Sequence, residues 1–384
     1  MKFLQILRKA AASPENRRRF ASIPADARCF SNQCLSHSSN TSSFGISFDI
    51  DGVILRGETP IGGSPQALRR LYDDSGALRI PYVFLTNGGG VPESSRAAEL
   101  SKLLNVHISP VQVLQGHSPF KPLAKRFEDD LVIAVGKGEP AMVMSEYGFR
   151  NVLSIDEYAL YFKHIDPLEK YKIWAKQQAG YDKSSSGEID RKNDRCFQRV
   201  QAVFIVSDSV DWSRDIQVLC DILSTGGHPG REIARQPSLY FANDDLSYQG
   251  LFPTERLGMG AFRIALESIY NSIYPNFLEY TSYGKPNPSV FRNAENVLMQ
   301  EVHSHIRPPV DGEYPFKTLY MIGDNPSVDI RGAQQAGQPW FSILTRSGVF
   351  KGKDNHPLYP ADLVVDTVEE AVDFILRKEA FQTD

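Results

Sequence analysis

Residues 44–53, FGISFDIDGV, decide the fold of this chain. The apolar first half predicts a strand buried on both faces, and the stretch ends in two carboxylates, Asp49 and Asp51, followed by Gly52. Side chains at alternate positions of a strand share a face. An unbroken strand would therefore bring Asp49 and Asp51 together, and their repulsion would require a cation or a proton. A solvated Asp-Gly turn after a strand is the competing interpretation.

Outward from this stretch, short apolar runs alternate with amphipathic segments of helical length. Further buried strands are predicted at 82–86, 131–135, 202–206, 238–242, 318–322 and 340–344, and helices near 65–74, 92–104, 214–225, 257–270, 287–301 and 367–378. Strands that alternate with helices predict an α/β fold with a Rossmann-like parallel sheet covered on both faces. Ligands of such sheets bind at the carboxyl ends of the strands.

Two further motifs have the chemistry of phosphate binding. In LTNGGG (85–90), the Thr86 hydroxyl and free N–H groups, including that of Asn87, can form a phosphate cradle after a strand, although a flexible glycine loop is the simpler interpretation. In YGKPNP (283–288), Lys285 precedes a proline at a predicted helix start. A lysine held there is a good counter-charge for phosphate, but an exposed lysine is the usual case.

A fourth motif has the chemistry of a metal site. In GDNPSVD (323–329), Asp324 ends a predicted strand and Asp329 lies just inside the next helix. Carboxylate oxygens at a strand end suit magnesium. The alternative is that the polar residues only cap the helix, through Asn325 or Ser327.

Together, the four motifs in this order resemble the haloacid dehalogenase superfamily. The gap of about 200 residues between the second and third motifs resembles a class II cap insertion. The stretches DGVILRG, KPNPSVF and GDNPSVDIRGAQQAG are similar to the NagD-like class IIA phosphatases. The long charged segment around residues 180–195 resembles the mitochondrial family called haloacid dehalogenase-like hydrolase domain-containing 5, formerly named after the cat-eye syndrome region.

The resemblance implies a magnesium-dependent phosphohydrolase that acts on a small phosphorylated metabolite. Asp49 would be the nucleophile that forms an aspartyl-phosphate, and Asp51 the general acid and then the general base. Magnesium would bind the Asp49 carboxylate, the Asp51 main-chain carbonyl and Asp324. Thr86, Asn87 and Lys285 would hold the phosphate. Asp329, together with Asn325, would orient Lys285 or metal-bound waters.

The resemblance also implies two domains. Residues 44–128 and 253–384 would form the hydrolase core, and residues 129–252 an inserted α/β cap of the C2 type, with a mobile insertion near 180–195. The segments SDSVDWS and FANDDL are similar to cap loops of class IIA enzymes, and their residues Asp211, Trp212, Asn243 and Asp245 either face substrate or pack within the cap. VGKG (135–138) lacks the third glycine of a dinucleotide motif, so we interpret it as a cap turn. The cap could also form the interface of a homodimer.

The first 43 residues differ in composition from the rest. They contain seven lysines and arginines but two acids, and their start can form an amphipathic helix. Because the whole chain has a net charge of −4, the remainder is acidic and offers no basic stripe for nucleic acid. We therefore predict that residues 1–43 are a mitochondrial transit peptide, with a chloroplast peptide or a disordered tail as alternatives. No run is long and apolar enough to predict an integral membrane segment.

Other functions stay open on the sequence. The fold could serve as a non-catalytic binding or assembly module, or the enzyme could transfer phosphate to an acceptor other than water. The family hints at glycerophospholipid metabolism by analogy alone.

Overall fold

The computed structural model describes residues 44–172, 198–305 and 314–379. The predicted transit peptide (1–43) and the predicted mobile insertion (180–195) lie outside these described residues.

The described residues form strands that we number along the chain. They are β1 Phe44–Phe48, β2 Leu55–Arg56, β3 Thr59–Pro60, β4 Tyr82–Leu85, β5 Val113–Leu114, β6 Leu131–Val135, β7 Val152–Ser154, β8 Val200–Ile205, β9 Ser238–Phe241, β10 Ser247–Tyr248, β11 Arg256–Leu257, β12 Thr281–Ser282, β13 Thr318–Gly323, β14 Trp340–Thr345 and β15 Leu363–Val365. The α-helices are Ser64–Arg69, Glu93–Leu104, Ala124–Phe127, Pro140–Glu146, Ile155–Leu160, Trp212–Ser224, Met259–Ile273, Pro288–His305, Arg331–Ala336 and Val368–Lys378.

The larger sheet has six parallel strands in the order β15-β14-β13-β1-β4-β5. β1 lies inside the sheet and all five of its residues are buried, with the large side chains of Phe44, Ile46 and Phe48 on one face and the small residues Gly45 and Ser47 on the other. Helices cover both faces, so the predicted α/β class with a Rossmann-like sheet is confirmed.

The second sheet has five parallel strands in the order β12-β9-β8-β6-β7 and its own hydrophobic core. We call this unit the cap. Its core begins with Phe120 and includes Phe262 and Leu266 of the helix Met259–Ile273. The predicted cap, 129–252, is therefore too short at both ends. The spacing of apolar residues predicts that a segment is a helix, but it does not predict which of the two sheets that helix will pack against.

No helix among the described residues is long and apolar enough to cross a lipid bilayer.

Candidate active site

The predicted catalytic motifs meet at one edge of the six-stranded sheet. Asp49, Thr86 and Asp324 directly follow β1, β4 and β13, which are neighbouring parallel strands, so their carboxyl ends lie side by side. A cavity of ≈ 100 Å³ opens there, lined by these residues and by residues of the cap.

Lys285 lies at the centre of the site. It is 2% exposed, and its Nζ lies 2.6 Å from Asp49 Oδ1 and 2.7 Å from Asp329 Oδ1. Burial alone would lower the pKa of Lys285, but the charges of Asp329 and Asp49 raise it above its ordinary value. The second oxygen of Asp329 accepts the main-chain N–H of Asn325 at 3.0 Å, so Asp329 fixes both the lysine and the loop after β13.

Asp324 occupies a niche formed by two glycines. A Cβ on Gly52 would lie 2.5 Å from Asp324 Oδ2, and one on Gly348 would lie 1.7 Å from it, so larger residues at either position would displace the carboxylate. The main-chain N–H of Val349 donates to the same oxygen. Burial, and then the charge of Asp329, raise the pKa of Asp324 to about 7.

The carboxylates form a cluster that fits a divalent cation. One oxygen from each of Asp49, Asp324 and Asp329 lies within 4.8 Å of the others, and all three residues are buried. Burial raises the pKa of Asp49 well above its ordinary value, and Asp329 and Asp324 add to the rise while Lys285 opposes it. Lys285 alone does not balance three carboxylates, and hard oxygen donors suit magnesium. Asp329 thus joins the cluster through its side chain, whereas the sequence predicted Asp51, by its main-chain carbonyl, as a ligand.

Asp51 does not continue the strand. The chain turns sharply, with the main-chain N–H groups of Ile54 and Leu55 donating to Ile50 O at 2.9 Å. The Asp51 carboxylate therefore lies over the glycine loop, 3.0 Å from where a Cβ of Gly88 would be. Burial raises the pKa of Asp51, and Arg96 and then Lys137 oppose the rise. The predicted crowding of Asp49 and Asp51 side chains is thus relieved by the turn.

Thr86 and Asn87 have different roles in the structure. The Thr86 hydroxyl accepts the N–H of Gly88 at 3.0 Å, which shapes the loop. The Asn87 side chain is occupied: its Oδ1 accepts the Lys285 N–H at 2.7 Å, and its Nδ2 donates to Lys285 O at 3.0 Å and to Asp245 Oδ1 at 2.9 Å. A phosphate at this loop would therefore meet the main chain of Asn87 rather than its amide.

At each of residues 88–90, a side chain larger than that of glycine would meet a different neighbour. A Cβ on Gly88 would crowd Asp51, one on Gly89 would lie 2.5 Å from His117 Cδ2, and one on Gly90 would lie 2.4 Å from Lys137 O. Gly90 also has φ +107°, where side chains are strained.

Two of the four predicted cap residues reach the cavity. Asn243 and Asp245 line it, but both are tied to Asn87, since Asn243 Nδ2 donates to Asn87 O at 2.8 Å. Burial raises the pKa of Asp245 to about 7, and the hydrogen bond from Asn87 opposes the rise.

The other two predicted cap residues lie away from the cavity. Asp211 caps the helix Trp212–Ser224 and forms an ion pair with Lys172. Trp212 packs edge-on against Phe262, with ring centroids 5.4 Å apart. These contacts favour the interpretation that both residues pack within the cap.

Further cap residues that the sequence did not indicate also line the cavity. They are Lys137, Ser207, Asp208, Ser247, Tyr248 and Gln249. Lys137 was within the VGKG turn, and Asp208 stands three residues before Asp211. Both turns follow strands of the parallel cap sheet, β6 and β8, so the rule that ligands meet strand carboxyl ends applies to the cap as well.

Comparisons with known proteins agree with this site. A family model described as haloacid dehalogenase-like hydrolase matches residues 46–150, and one described as HAD-hydrolase-like matches residues 282–371. The chain is 31% identical over 357 residues to a mitochondrial hydrolase of Saccharomyces cerevisiae, covering 87% of this chain and 96% of that protein. It is 34% identical over 344 residues to a cardiolipin synthase (CMP-forming)/mitochondrial hydrolase fusion protein of Schizosaccharomyces pombe. That match covers 87% of this chain but 53% of the fusion protein, so the chain spans about half of it.

The solved structure of NagD from Escherichia coli has the same fold, with a TM-score of 0.50 at 18% identity over 85% of this chain and 97% of that one. The chain belongs to the haloacid dehalogenase superfamily of hydrolases. The likeness in fold to NagD agrees with the resemblance to the class IIA, NagD-like phosphatases that the motifs indicated.

Proposed function

We propose that this protein is a magnesium-dependent phosphohydrolase that cleaves a phosphate monoester of a small metabolite through an aspartyl-phosphate on Asp49. The observation that carries the proposal is the buried Lys285, bound to Asp49 and Asp329, beside the cluster that Asp324 completes. Such a concentration of buried charge is unfavourable for folding alone and is typical of a reaction site.

Asp49 is placed to attack phosphorus. Lys285 holds its Oδ1, which orients the carboxylate and leaves Oδ2 to bond to the phosphorus. The ammonium also balances the charge of a bound phosphoryl group. The Thr86 hydroxyl and the main chain of Asn87 and Gly89 line the same cavity and would supply donors to the other phosphoryl oxygens.

Asp51 is placed to move the proton. In an in-line displacement the leaving oxygen would lie opposite Asp49. Asp51, which stands over Gly88 and lines the same cavity, would be the acid that faces this oxygen. Its raised pKa favours the protonated form needed to protonate the leaving oxygen. The resulting carboxylate then takes a proton from the water that hydrolyses the aspartyl-phosphate.

The metal would be held by carboxylates of the cluster, Asp49 and Asp324, with Asp329 next to them. When bound, magnesium neutralises charge on the phosphoryl oxygens. In this proposal Asp51 would bind the metal through its main-chain carbonyl, because its carboxylate lies over Gly88.

The size of the cavity supports a small substrate. Its ≈ 100 Å³ lies below the roughly 300–1,000 Å³ of sites that enclose drug-sized ligands. The fusion of a relative to a cardiolipin synthase supports a role in glycerophospholipid metabolism, and the names of two relatives support a mitochondrial location. Import into mitochondria directed by residues 1–43 can be tested with a fluorescent reporter fused to them. A cytosolic signal would contradict targeting, and a chloroplast signal would contradict only the choice of organelle.

The proposed reaction is tested with p-nitrophenyl phosphate, with and without Mg²⁺, followed by rapid acid quench and intact-protein mass measurement. Wild type should turn over only with Mg²⁺. Asp51→Asn should accumulate phosphoprotein, because its second step lacks a base, and should lose about 100- to 10,000-fold in turnover of an alkyl phosphate. Asp49→Asn should show neither turnover nor a mass increase.

The same assay separates the alternatives. Product formed only when an alcohol acceptor is added would indicate a phosphotransferase. No turnover of any of a broad set of phosphate monoesters would indicate a binding module. A homodimer through the cap stays a prediction, which light scattering of the purified protein can test.

A further inference from the structure

We propose that the ion pair between Lys137 and Asp208 determines specificity by binding a hydroxyl group on the leaving portion of the substrate. This inference rests on the proposed phosphohydrolase function and adds the recognition of the leaving group to it. Both residues line the cavity and belong to the cap.

The main chain around Lys137 is held firmly against the glycine loop. Lys137 O accepts the hydroxyl of Ser207 at 2.6 Å, and Lys137 N–H donates to Asp208 O at 2.9 Å. The next turn is tied to the core because Glu139 N–H donates to Gly90 O at 2.6 Å. Lys137 therefore has a fixed position relative to the phosphate loop, as a residue that sets specificity must have.

The side chain of Lys137 extends along the cavity wall. Its Nζ lies 2.8 Å from Asp208 Oδ2 and 5.3 Å from the ring centroid of Tyr248, which also lines the cavity. The side chain is 51% exposed, so the ammonium remains accessible from the cavity. The ion pair with Asp208 uses one of the three N–H donors of the Lys137 ammonium. The charge of Lys137 also acts to lower the pKa of Asp51.

The direction of the reaction places the leaving group at this pair. The leaving oxygen must face Asp51, on the side of the phosphorus opposite Asp49. Lys137 and Asp208 are cap residues whose charges act on the Asp51 carboxylate, and both line the same cavity. A leaving group a few atoms long therefore ends beside the ion pair.

The chemistry of the pair matches a neutral hydroxyl better than a second anion. A hydroxyl both donates and accepts, so it can accept from the ammonium and donate to the carboxylate at once. A carboxylate on the leaving group would be attracted by Lys137 but repelled by Asp208, which lies 2.8 Å from the ammonium. An alkyl chain without oxygen would cover the ion pair and displace the water that solvates it without replacing those hydrogen bonds, which costs free energy.

The test compares 2-hydroxyethyl phosphate with ethyl phosphate, which lacks only the hydroxyl, using the full chain with Mg²⁺. The measured quantity is the ratio of the two kcat/KM values. Wild type should prefer the hydroxylated ester, and Lys137→Met should lower the ratio about tenfold or more, since hydrogen bonds to charged groups contribute about 1.5–3 kcal/mol. Asp208→Asn should lower the ratio less, because an amide still accepts, and Lys137→Arg should retain part of it. Lys102→Met, at an exposed position on a core helix, should leave the ratio unchanged.

A ratio that is the same in wild type and Lys137→Met overturns the inference, and so does a wild-type preference for ethyl phosphate. Melting curves of each variant show that a changed ratio comes from folded protein. The function itself is judged separately on p-nitrophenyl phosphate: if wild type does not hydrolyse it, or Asp49→Asn does, the phosphohydrolase proposal fails and this inference fails with it.

Discussion

The Nζ of Lys285 lies 2.6 Å from Asp49 Oδ1, although 236 positions separate the two residues along the chain. The contact joins the first strand of the core to a loop that follows the whole cap. Because both side chains are buried, the charge of each depends on the other and on Asp329, whose Oδ1 lies 2.7 Å from the same ammonium.

Loss of this ammonium should destabilise the fold as well as stop the reaction. Lys285→Met leaves Asp49, Asp324 and Asp329 close together without a cation, and breaking a buried ion pair costs about 3–5 kcal/mol. We expect the free energy of unfolding in urea to fall by that amount without Mg²⁺, and Mg²⁺ to restore part of it. Lys102→Met, at an exposed site, should change it by less than about 0.5 kcal/mol. A variant as stable as wild type would show that the carboxylates become protonated at no cost.

Binding of magnesium should raise the melting temperature, because the ion binds the folded cluster and not the unfolded chain. Asp324→Asn removes one of the three carboxylates and should abolish this response. Asp74→Asn, at an exposed position, is the matched control and should respond as wild type does. An unchanged response in Asp324→Asn would mean that the ion binds elsewhere. Differential scanning calorimetry with and without Mg²⁺ measures both.

Substitution of Gly90 should disturb the contact between core and cap. Gly90→Ala forces a side chain at φ +107° and places its Cβ 2.4 Å from Lys137 O, so the cap turn must shift. Gly76→Ala has a similar backbone cost, since Gly76 has φ +82°, but nothing lies within 4 Å of its Cβ. Strain of this kind costs of order 1–3 kcal/mol at either site. We expect Gly90→Ala to lose at least about tenfold in kcat/KM on p-nitrophenyl phosphate and Gly76→Ala to keep it; equal loss in both would refute the contact as the cause.

A buried polar network lies under the glycine loop. The hydroxyl of Tyr147 donates to Glu93 Oε1 at 2.6 Å and lies 2.7 Å from His117 Nδ1, and Ser118 Oγ donates to the same glutamate oxygen at 2.8 Å. Lys121 Nζ lies 3.0 Å from that oxygen. Burial lowers the pKa of His117 to about 4, and the charge of Glu93 opposes the change.

The network predicts a loss of stability in mild acid. The unfolded chain binds a proton on His117 near pH 6.5, but the folded protein does so only near pH 4, so the free energy of unfolding falls as pH drops between these values. From pH 7 to pH 5 the loss from this residue should be about 2 kcal/mol. His117→Gln should lack this part of the pH dependence, whereas His107→Gln, at an exposed site, should keep it. Urea unfolding at a series of pH values measures the difference; identical slopes for wild type and His117→Gln would contradict a neutral buried histidine.

The sequence predicted the long strands and helices well because their apolar patterns are determined locally. β6 was predicted with its observed bounds, and the helix Val368–Lys378 within one residue. Strands of two or three residues, such as β5 and β7, were missed, since such short segments have no readable period. Their pairing comes from the neighbouring strand instead.

Within the site, the core motifs were predictable and the cap wall was not. Asp49, Thr86 and Asp324 stand at strand ends within patterns that limit their chemistry. The main-chain N–H of Asn87 was predicted to bind phosphate, and this stays a prediction. That the Asn87 side chain binds Lys285 and Asp245 is revealed only by the three-dimensional contacts. Lys137 and Asp208 come from two cap turns far apart in the sequence, and nothing local indicates that they pair.

The position of β1 inside its sheet has a consequence for how the protein is made. β1 leaves the ribosome first among the described strands, and β4 pairs with it early, but its other neighbour, β13, belongs to the last part of the chain. The cap sheet, in contrast, is built from one continuous stretch of sequence. Translation proceeds at about 5–20 residues per second, so the cap has time to fold before β13 emerges and pairs with the free edge of β1. During that interval the nascent chain exposes an apolar strand edge of the kind that chaperones protect. The catalytic centre is completed only after the cap has been synthesised, when Asp324 and Asp329 emerge.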